Sequence, residues 1–348
     1  MSRPQYHPLK VLKLVEETAD ARSIVFEVPA DLKDAFRFKP GQHLQLRIPC
    51  GAKPLPRCYS LSSSPAFDEP LRVTVKRVAD GRASSWVCSQ LKAGDTLEVM
   101  PPAGVFTPRS FDANLRVFAG GSGITPVFSI IRTVLASGTG RITLLYANRD
   151  EQSVIFGNEL TELARQQPER LQVFHWLDSV QGVPPSQAQI SAIAKDWGLD
   201  GAECYICGPG IFMDTTAAAL YELGVPHALV HIERFVSLPE DADEAPAEKP
   251  SAPAGALGSE LEVELDGATH TIKLRPGELL IEAMEAAGLQ PPFSCRAGAC
   301  AACMCHLEEG EIEMAHNHVL DESDVAQGWI LGCQASATSP RVKIKYPN

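Results

Sequence analysis

Hydrophobic and polar positions alternate with a period of two through much of the first third of the chain. Ile24-Val25-Phe26-Glu27-Val28, Leu44-Gln45-Leu46-Arg47-Ile48 and Leu71-Arg72-Val73-Thr74-Val75 are short runs of this kind, divided by breakers such as Pro40-Gly41. Such runs predict antiparallel strands, and their spacing up to about Pro108 predicts a small β-barrel. From Leu115 the pattern changes. Apolar runs at Leu115 to Ala119, Ile142 to Tyr146, Leu171 to Leu177 and Cys204 to Ile206 alternate with helical stretches opening at Pro126, near Phe156 and at Ile211. Alternating strands and helices predict a parallel sheet wrapped by helices.

A third pattern begins near residue 259. Leu261-Glu262-Val263-Glu264-Leu265 and Thr271-Ile272-Lys273-Leu274 flank Asp266-Gly267, a strong hairpin signal, and a short helix is expected from Leu280 to Ala287. Residues 239–258 hold four prolines and almost no large apolar side chain, which predicts a linker. The expected organisation is therefore a barrel domain over 1–108, an α/β domain over 109–238, an acidic Pro/Ala linker over 239–258 and a compact β-rich domain over 259–348. Twenty linker residues would reach on the order of 60 Å if nearly extended.

Composition adds two constraints. No apolar stretch reaches the roughly 18 residues needed to span a bilayer, so no membrane location is expected. The net charge of −12 is uneven: residues 259–348 carry 14 acidic against 6 basic side chains, 239–258 carry 5 against 1, and the first 238 residues balance at 24 each. An acidic module on a neutral body suits docking to a basic face and disfavours nucleic acid, although solvated acid also serves solubility.

Chemistry is concentrated in the cysteines of the last domain. Cys295, Cys300 and Cys303, followed 30 positions later by Cys333, stand at the Cys-x4-Cys-x2-Cys … Cys spacing of plant-type [2Fe–2S] centres. Zinc is the alternative for four thiolates, but its sites usually pair two short knuckles and Cys333 stands alone. A c-type haem would need His after Cys303, where Met304 stands. Without an opening signal peptide a reducing cytoplasm is expected, and Cys50, Cys58, Cys88, Cys204 and Cys305 read as buried or neutral thiols.

Three further segments carry a cofactor signature. Gly120-Gly121-Ser122-Gly123-Ile124-Thr125-Pro126 follows an apolar strand and opens a helix, with Thr125 expected as its cap and Pro126 in its first turn. Cys207-Gly208-Pro209-Gly210 follows another strand, and in a parallel sheet both turns fall on the ligand-binding edge. Arg57-Cys58-Tyr59-Ser60 lies in the barrel region. Together these segments resemble the ferredoxin–NADP reductase superfamily. The resemblance implies that Arg57, Tyr59 and Ser60 bind FAD, with Ser60 near the flavin N5. It also implies that Val75, Lys76, Gly81, Ala83, Ser84 and Ser85 complete the flavin site. Gly121, Gly123, Thr125 and Pro126 would bind the nicotinamide nucleotide, and Cys207, Gly208 and Pro209 would close over the nicotinamide. Ser84 and Ser85 also suit plain helix capping.

Asn148 and Arg149 end the strand where the adenosine ribose is expected. Arg149 could hold a 2′-phosphate, but Asp150 and Glu151 would repel one, so NADH is expected over NADPH. The order of the segments is similar to oxygenase reductases of the 3-ketosteroid 9α-hydroxylase and phenylacetyl-CoA epoxidase types, with a β-grasp ferredoxin domain at the carboxyl end. Ala301 departs from that pattern, which usually has Gly or Ser there. The implied activity is electron transfer from NAD(P)H through FAD and the cluster to a terminal oxygenase, with Ser60 and Cys207 as the catalytic pair. A redox sensor and a self-contained oxidase are the rival readings. His231, Glu233 and Phe235 suit either an approach to the flavin or packing.

Overall fold

The computed structural model describes residues 6–51, 54–67, 69–235, 258–265, 267–293, 296, 298, 301–317, 319–320 and 322–346. They fall into two compact units, one over Tyr6–Phe235 and one formed by the described residues from Gly258 onward. All but the last residue of the expected linker lies outside the described residues.

The first unit opens with six antiparallel strands: β1 (His7–Thr18), β2 (Ala21–Glu27), β3 (His43–Ile48), β4 (Leu55–Ser60), β5 (Leu71–Lys76) and β6 (Thr96–Val99), with helix α1 (Arg82–Ser89) between the last two. Their order is β4-β3-β6-β1-β2-β5. A Leu61–Val73 bridge joins the two ends and closes the barrel. Closure leaves no bare edge, and the inward side chains Leu9, Val11, Ile24, Phe26, Leu44, Leu46, Val73 and Val99 fill the interior.

The same unit continues as β7 (Leu115–Gly120), α2 (Ile124–Ser137), β8 (Ile142–Asn148), α3 (Gly157–Gln166), β9 (Leu171–Leu177), α4 (Asp178–Gln181), α5 (Gln187–Ala194), β10 (Glu203–Cys207), α6 (Gly210–Glu222) and β11 (Val230–Glu233). The five strands form a parallel sheet in the order β11-β10-β7-β8-β9. Helix α2 is apolar nearly all round because it is covered on both sides. One side lies on the sheet, and the other meets the barrel through Ser129 Oγ donating to Ser63 O at 2.6 Å and a Ser64–Thr133 hydroxyl pair at 2.8 Å. Arg132 adds a bidentate pair to Glu69 at 2.6 and 3.0 Å.

The second unit contains β12 (Ser259–Leu265), β13 (Ala268–Leu274), α7 (Leu280–Ala286), β14 (Met304–Glu309), β15 (Ile312–Met314), α8 (Glu322–Ala326), β16 (Trp329–Leu331), β17 (Ala335–Ala337) and β18 (Arg341–Lys345). Leu265 pairs with Ala268, the register that a two-residue connection requires, with Gly267 at φ +75 and Asp266 outside the described residues. A mixed sheet of order β13-β12-β18-β14-β16 buries Leu261, Val263, Val342 and Ile344 against Ile281 and Met284 of α7, the β-grasp arrangement.

One long-range contact holds the end of α2. The Arg170 guanidinium donates to the carbonyls of Leu135 at 3.0 Å, Val134 at 2.9 Å, Gly138 at 2.9 Å and Gly140 at 3.0 Å. The last carbonyls of a helix have no partner within it, and a cation there also meets the negative end of the helix dipole. Arg170→Ala should lower unfolding stability by about 2–3 kcal/mol in denaturant titration, since several buried acceptors lose a charged donor together, and Arg170→Lys should recover only part of this.

Candidate functional site

The glycine turn after β7 and the Cys-Gly-Pro turn after β10 are pressed backbone to backbone. A Cβ on Gly123 would fall 2.0 Å from Cys207 O and 2.6 Å from Gly208 N, and one on Gly208 would fall 2.9 Å from Gly120 N. The two strands are direct neighbours, with Cys207 opposite Ala119. Gly121 adopts φ +51, which glycine reaches without the strain of a Cβ. Its carbonyl accepts from Tyr146 Oη at 3.2 Å.

Thr125 does not cap the following helix. Helix α2 begins at Ile124, after a 3-10 turn over Gly121–Gly123, so Thr125 and Pro126 are both inside it. The Thr125 hydroxyl donates to Ser122 O at 3.0 Å instead of accepting from a helix amide. The tight 3-10 turn starts the helical path earlier than a serine or threonine cap would.

In the barrel, β4 carries Arg57, Tyr59 and Ser60. Arg57 is half-buried and donates to Pro56 O at 2.7 Å. Tyr59 is half-buried against the barrel core, and burial pushes its hydroxyl well above the ordinary phenol range. The serines after it are engaged: Ser62 with Thr74 at 2.9 Å, Ser63 with the Arg72 amide at 3.0 Å and Ser64 with Thr133. Ser60 is different. Its Oγ is buried with no hydrogen-bond partner among the described residues. A buried hydroxyl costs free energy unless something bonds it, which fits a polar ligand atom at this position.

Helix α1 starts after Gly81, and Ala83 and Ser84 are buried in its first turn. Neither Ser84 nor Ser85 is the cap. The Ser84 hydroxyl accepts from the Val78 amide and donates to Gly81 O, both at 3.2 Å, while Ser85 is half-buried and its amide bonds Gly81 O at 3.0 Å. The early amides of this turn remain the suitable donors for a phosphate. Val75 and Lys76 end β5. Val75 is buried and its carbonyl accepts from Cys88 Sγ at 3.8 Å. Lys76 Nζ lies 3.7 Å from where a Gly121 Cβ would be.

At the end of β8, both amide atoms of Asn148 are buried without a hydrogen bond of good geometry among the described residues. Arg149 reaches back to the barrel, with Nη2 2.9 Å from Asp20 Oδ2, and its carbonyl accepts from Ser179 N at 2.8 Å. Pro209 is exposed at the start of α6. The Cys207 thiol is fully buried, and burial holds its pKa well above the usual thiol value, so it is neutral.

A second group of residues was less legible. On neighbouring strands Glu233 stands opposite Cys207, and in the barrel His43 stands opposite Ser60. Burial raises the Glu233 carboxyl from 4.5 to about 7, with the charge of His43 opposing the rise. Ser60 and His43 thus form a pair on the barrel, and Cys207 and Glu233 a pair on the parallel sheet. His231 takes a packing role: its Nε2 lies 3.5 Å from Glu203 Oε2 and its ring stacks on Tyr205 at 4.6 Å. Phe235 is exposed.

In the second unit Cys303 and Cys333 are described and buried, at 2% and 1% exposure, whereas Cys295 and Cys300 lie outside the described residues. Gly332 N donates to Cys303 O at 3.0 Å, tying the two cysteine-bearing segments together. Arg296, Gly298 and Ala301 all have positive φ, and a Gly298 Cβ would fall 2.6 Å from His316 O. A left-handed, closely packed loop is what a chain needs to curl round a small inorganic core. The Gln334 amide donates to Arg296 O at 2.7 Å and lies 3.8 Å from Cys333 Sγ, which bridges loop and sulfur. Two buried thiols with an amide donor beside one of them fit the [2Fe–2S] group. Cys305 belongs to the core, where burial pushes its thiol up to about 12.

Three family models match in the same order: an oxidoreductase FAD-binding domain over residues 8–107, an oxidoreductase NAD-binding domain over 117–218 and a 2Fe-2S iron-sulfur cluster binding domain over 263–338. The ferredoxin reductase component of 3-ketosteroid-9-alpha-monooxygenase from Rhodococcus rhodochrous is 49% identical over 341 residues, covering 97% of this chain and 96% of that one. A 1,2-phenylacetyl-CoA epoxidase component from Escherichia coli (strain K12) is 34% identical over 362 residues, with 98% of each chain covered. Phthalate dioxygenase reductase shares the fold, with a TM-score of 0.61 at 23% identity over 99% of this chain and 100% of that one. With all three modules present in one order, the chain belongs to the family of FAD- and [2Fe–2S]-containing NAD(P)H oxidoreductases that serve as reductase components of oxygenases.

Proposed function

We propose that this chain takes a hydride from NADH on FAD and passes the electrons singly through the [2Fe–2S] cluster to a separate terminal oxygenase acting on a 3-ketosteroid. Flavin converts a two-electron donor into one-electron steps, and the cluster carries each electron onward. The observation that carries this reading is the pairing of a nucleotide-type glycine turn with a barrel in one unit, joined to a four-cysteine β-grasp unit. The steroid assignment is supported by 49% identity to the 3-ketosteroid-9-alpha-monooxygenase component, against 34% for the phenylacetyl-CoA epoxidase relative.

The expected domain limits, 1–108, 109–238, 239–258 and 259–348, frame the work of each part. The barrel holds the flavin through Arg57, Tyr59, the α1 amides and the free hydroxyl of Ser60. The turns at Gly121–Gly123 and Cys207–Pro209 position the nicotinamide nucleotide against it. The neutral Cys207 thiol supplies bulk and no nucleophile. The segment 239–258 tethers the ferredoxin domain. Among the described residues no helix is long and apolar enough to cross a membrane, and a thiol-rich chain of this kind suits the cytoplasm.

The partner's docking face should be basic. On the carboxyl-terminal unit, Arg341, Lys343 and Lys345 pair with Glu262, Glu308 and Glu264 across β12, β14 and β18, and Arg296 pairs with Glu285. These contacts occupy most of its cations and leave the acidic surplus uncompensated.

Two experiments test this reading. Purified Cys300→Ser protein should keep NADH-driven reduction of ferricyanide but lose cytochrome c reduction, by at least the roughly 10-fold that loss of an outer-shell partner costs a metal centre. Cytochrome c reduction at the unaltered rate would refute the route through the cluster. Glu233 sets a pH signature of its own. Its unfolded carboxyl gives up its proton near 4.5 and its folded one near 7, so the folded chain binds the extra proton in between and loses stability as pH rises through that window. Thermal unfolding should therefore show Glu233→Gln overtaking the parent protein between about pH 4.5 and 7.5, with the difference constant above that range.

A further inference from the structure

Two cations reach the nucleotide edge of the first unit, and one carboxylate holds both. Asp20 sits in the turn between β1 and β2, with Oδ2 2.9 Å from Arg149 Nη2 and 3.9 Å from Lys76 Nζ. The turn is well anchored: Thr18 Oγ1 donates to Asp20 Oδ1 at 2.8 Å, and Arg77 N donates to the Asp20 carbonyl at 2.7 Å. Lys76 reaches the Gly121 turn, and Arg149 is the first residue after β8. In a sheet of this kind the adenosine ribose lies at the end of the strand next to the glycine turn. There an acid bonds the 2′-hydroxyl of NAD, whereas an arginine accommodates the 2′-phosphate of NADP.

Both residue types stand at this strand end, and their partners separate them. Asp150 is committed to the Ser153 amide at 2.8 Å in a local capping box. Arg149 is committed to Asp20. A 2′-phosphate, carrying roughly −1.5 to −2 charge, would have to take Arg149 from Asp20 while meeting Asp20 itself as a like charge. Asp178 begins α4 beside this edge, where Ser179 N bonds Arg149 O, and Glu151 follows Asp150, so the surroundings add negative charge. A plain ribose hydroxyl meets no such opposition.

We infer that Asp20 determines nucleotide specificity: by engaging Arg149 and Lys76 from the barrel it withholds both cations from a 2′-phosphate and keeps the site selective for NADH. The inference rests on the proposal that a nicotinamide nucleotide is the electron donor. Asp20→Asn is the discriminating variant, because an amide oxygen can still accept from Thr18 while the charge is gone.

Calorimetric binding of 5′-AMP and 2′,5′-ADP to the holoprotein isolates the 2′-phosphate. In Asp20→Asn the ratio of the two dissociation constants should move toward 2′,5′-ADP by on the order of tenfold, equivalent to about 1.4 kcal/mol. The kcat/KM ratio for NADPH over NADH should move the same way. Adding Arg149→Gln should abolish the gain, and Arg149→Gln alone should change the ratio by less than about twofold, because an arginine held in a partly exposed ion pair contributes little. An unchanged ratio in Asp20→Asn overturns the inference, as does a gain that survives without Arg149. A large loss of 2′,5′-ADP binding in Arg149→Gln alone does so too. Failure of the parent protein to reduce its flavin with either nucleotide would instead overturn the electron-donor reading, before any variant is compared.

Discussion

The absence of a side chain at Gly123 is the constraint on which the cofactor edge depends. Any Cβ there would run into the Cys207 carbonyl and the Gly208 amide, so the ends of β7 and β10 could not close on one another. That closure brings the amino ends of α2 and α6 to one edge of the sheet, where backbone donors converge on a phosphate-bearing ligand. It also keeps Cys207 beside Glu233 on the neighbouring strand. Glycine is required here for contact, not for flexibility. At Gly121, by contrast, the backbone angle itself favours glycine.

The joint between barrel and sheet is built from the same economy of polar groups. Ser62, Ser63 and Ser64 follow one another at the rim of the barrel, and each spends its hydroxyl or carbonyl on Thr74, Arg72, Ser129 or Thr133. These buried bonds explain how a helix as apolar as α2 can still have a defined register against the barrel, since polar pairs specify position where hydrophobic packing alone is permissive. Against that background the Ser60 hydroxyl, just before them in the chain, is buried with no hydrogen-bond partner among the described residues. A buried hydroxyl in that position is suited to a polar atom of a ligand.

Much of this was legible in the sequence because it is local. Strand alternation marked β2, β3 and β5, the Asp-Gly pair marked the β12–β13 turn, and cysteine spacing marked the cluster loop. What escaped was set by distance along the chain. Thr125 looks like a cap by its place before Pro126, but a 3-10 turn of glycines starts the helix before it. Ser84 looks like a helix cap, yet Gly81 holds that position and the Ser84 hydroxyl bonds within the 78–84 turn. The partners of Arg170 lie 30–36 residues away, and those of Arg149 lie 129 away. No pattern of neighbouring residues announces such contacts. Ala301 is a mixed case. Its departure from the usual Gly or Ser was visible, whereas its left-handed backbone, the physical reason Gly is favoured there, was not.

Charge ties these observations to the direction of electron flow. The first unit is nearly balanced overall, and its cations are largely engaged: Arg149 and Lys76 share Asp20 at the nucleotide edge, while Arg132 pairs with Glu69 and Arg72 with Glu159 where barrel and sheet meet. An edge whose cations are already engaged admits a dinucleotide through hydrogen bonds and backbone donors, so selectivity comes from geometry more than from attraction. The carboxyl-terminal unit differs in its excess of acid, since Arg341, Lys343 and Lys345 pair within its own sheet and more acidic than basic residues remain. Unmatched charge of one sign steers encounters with a basic partner over a Debye length and is read out in association rate. On the proposed reading, electrons enter where cations are already engaged and shape decides, and leave where acid is in excess and encounter decides.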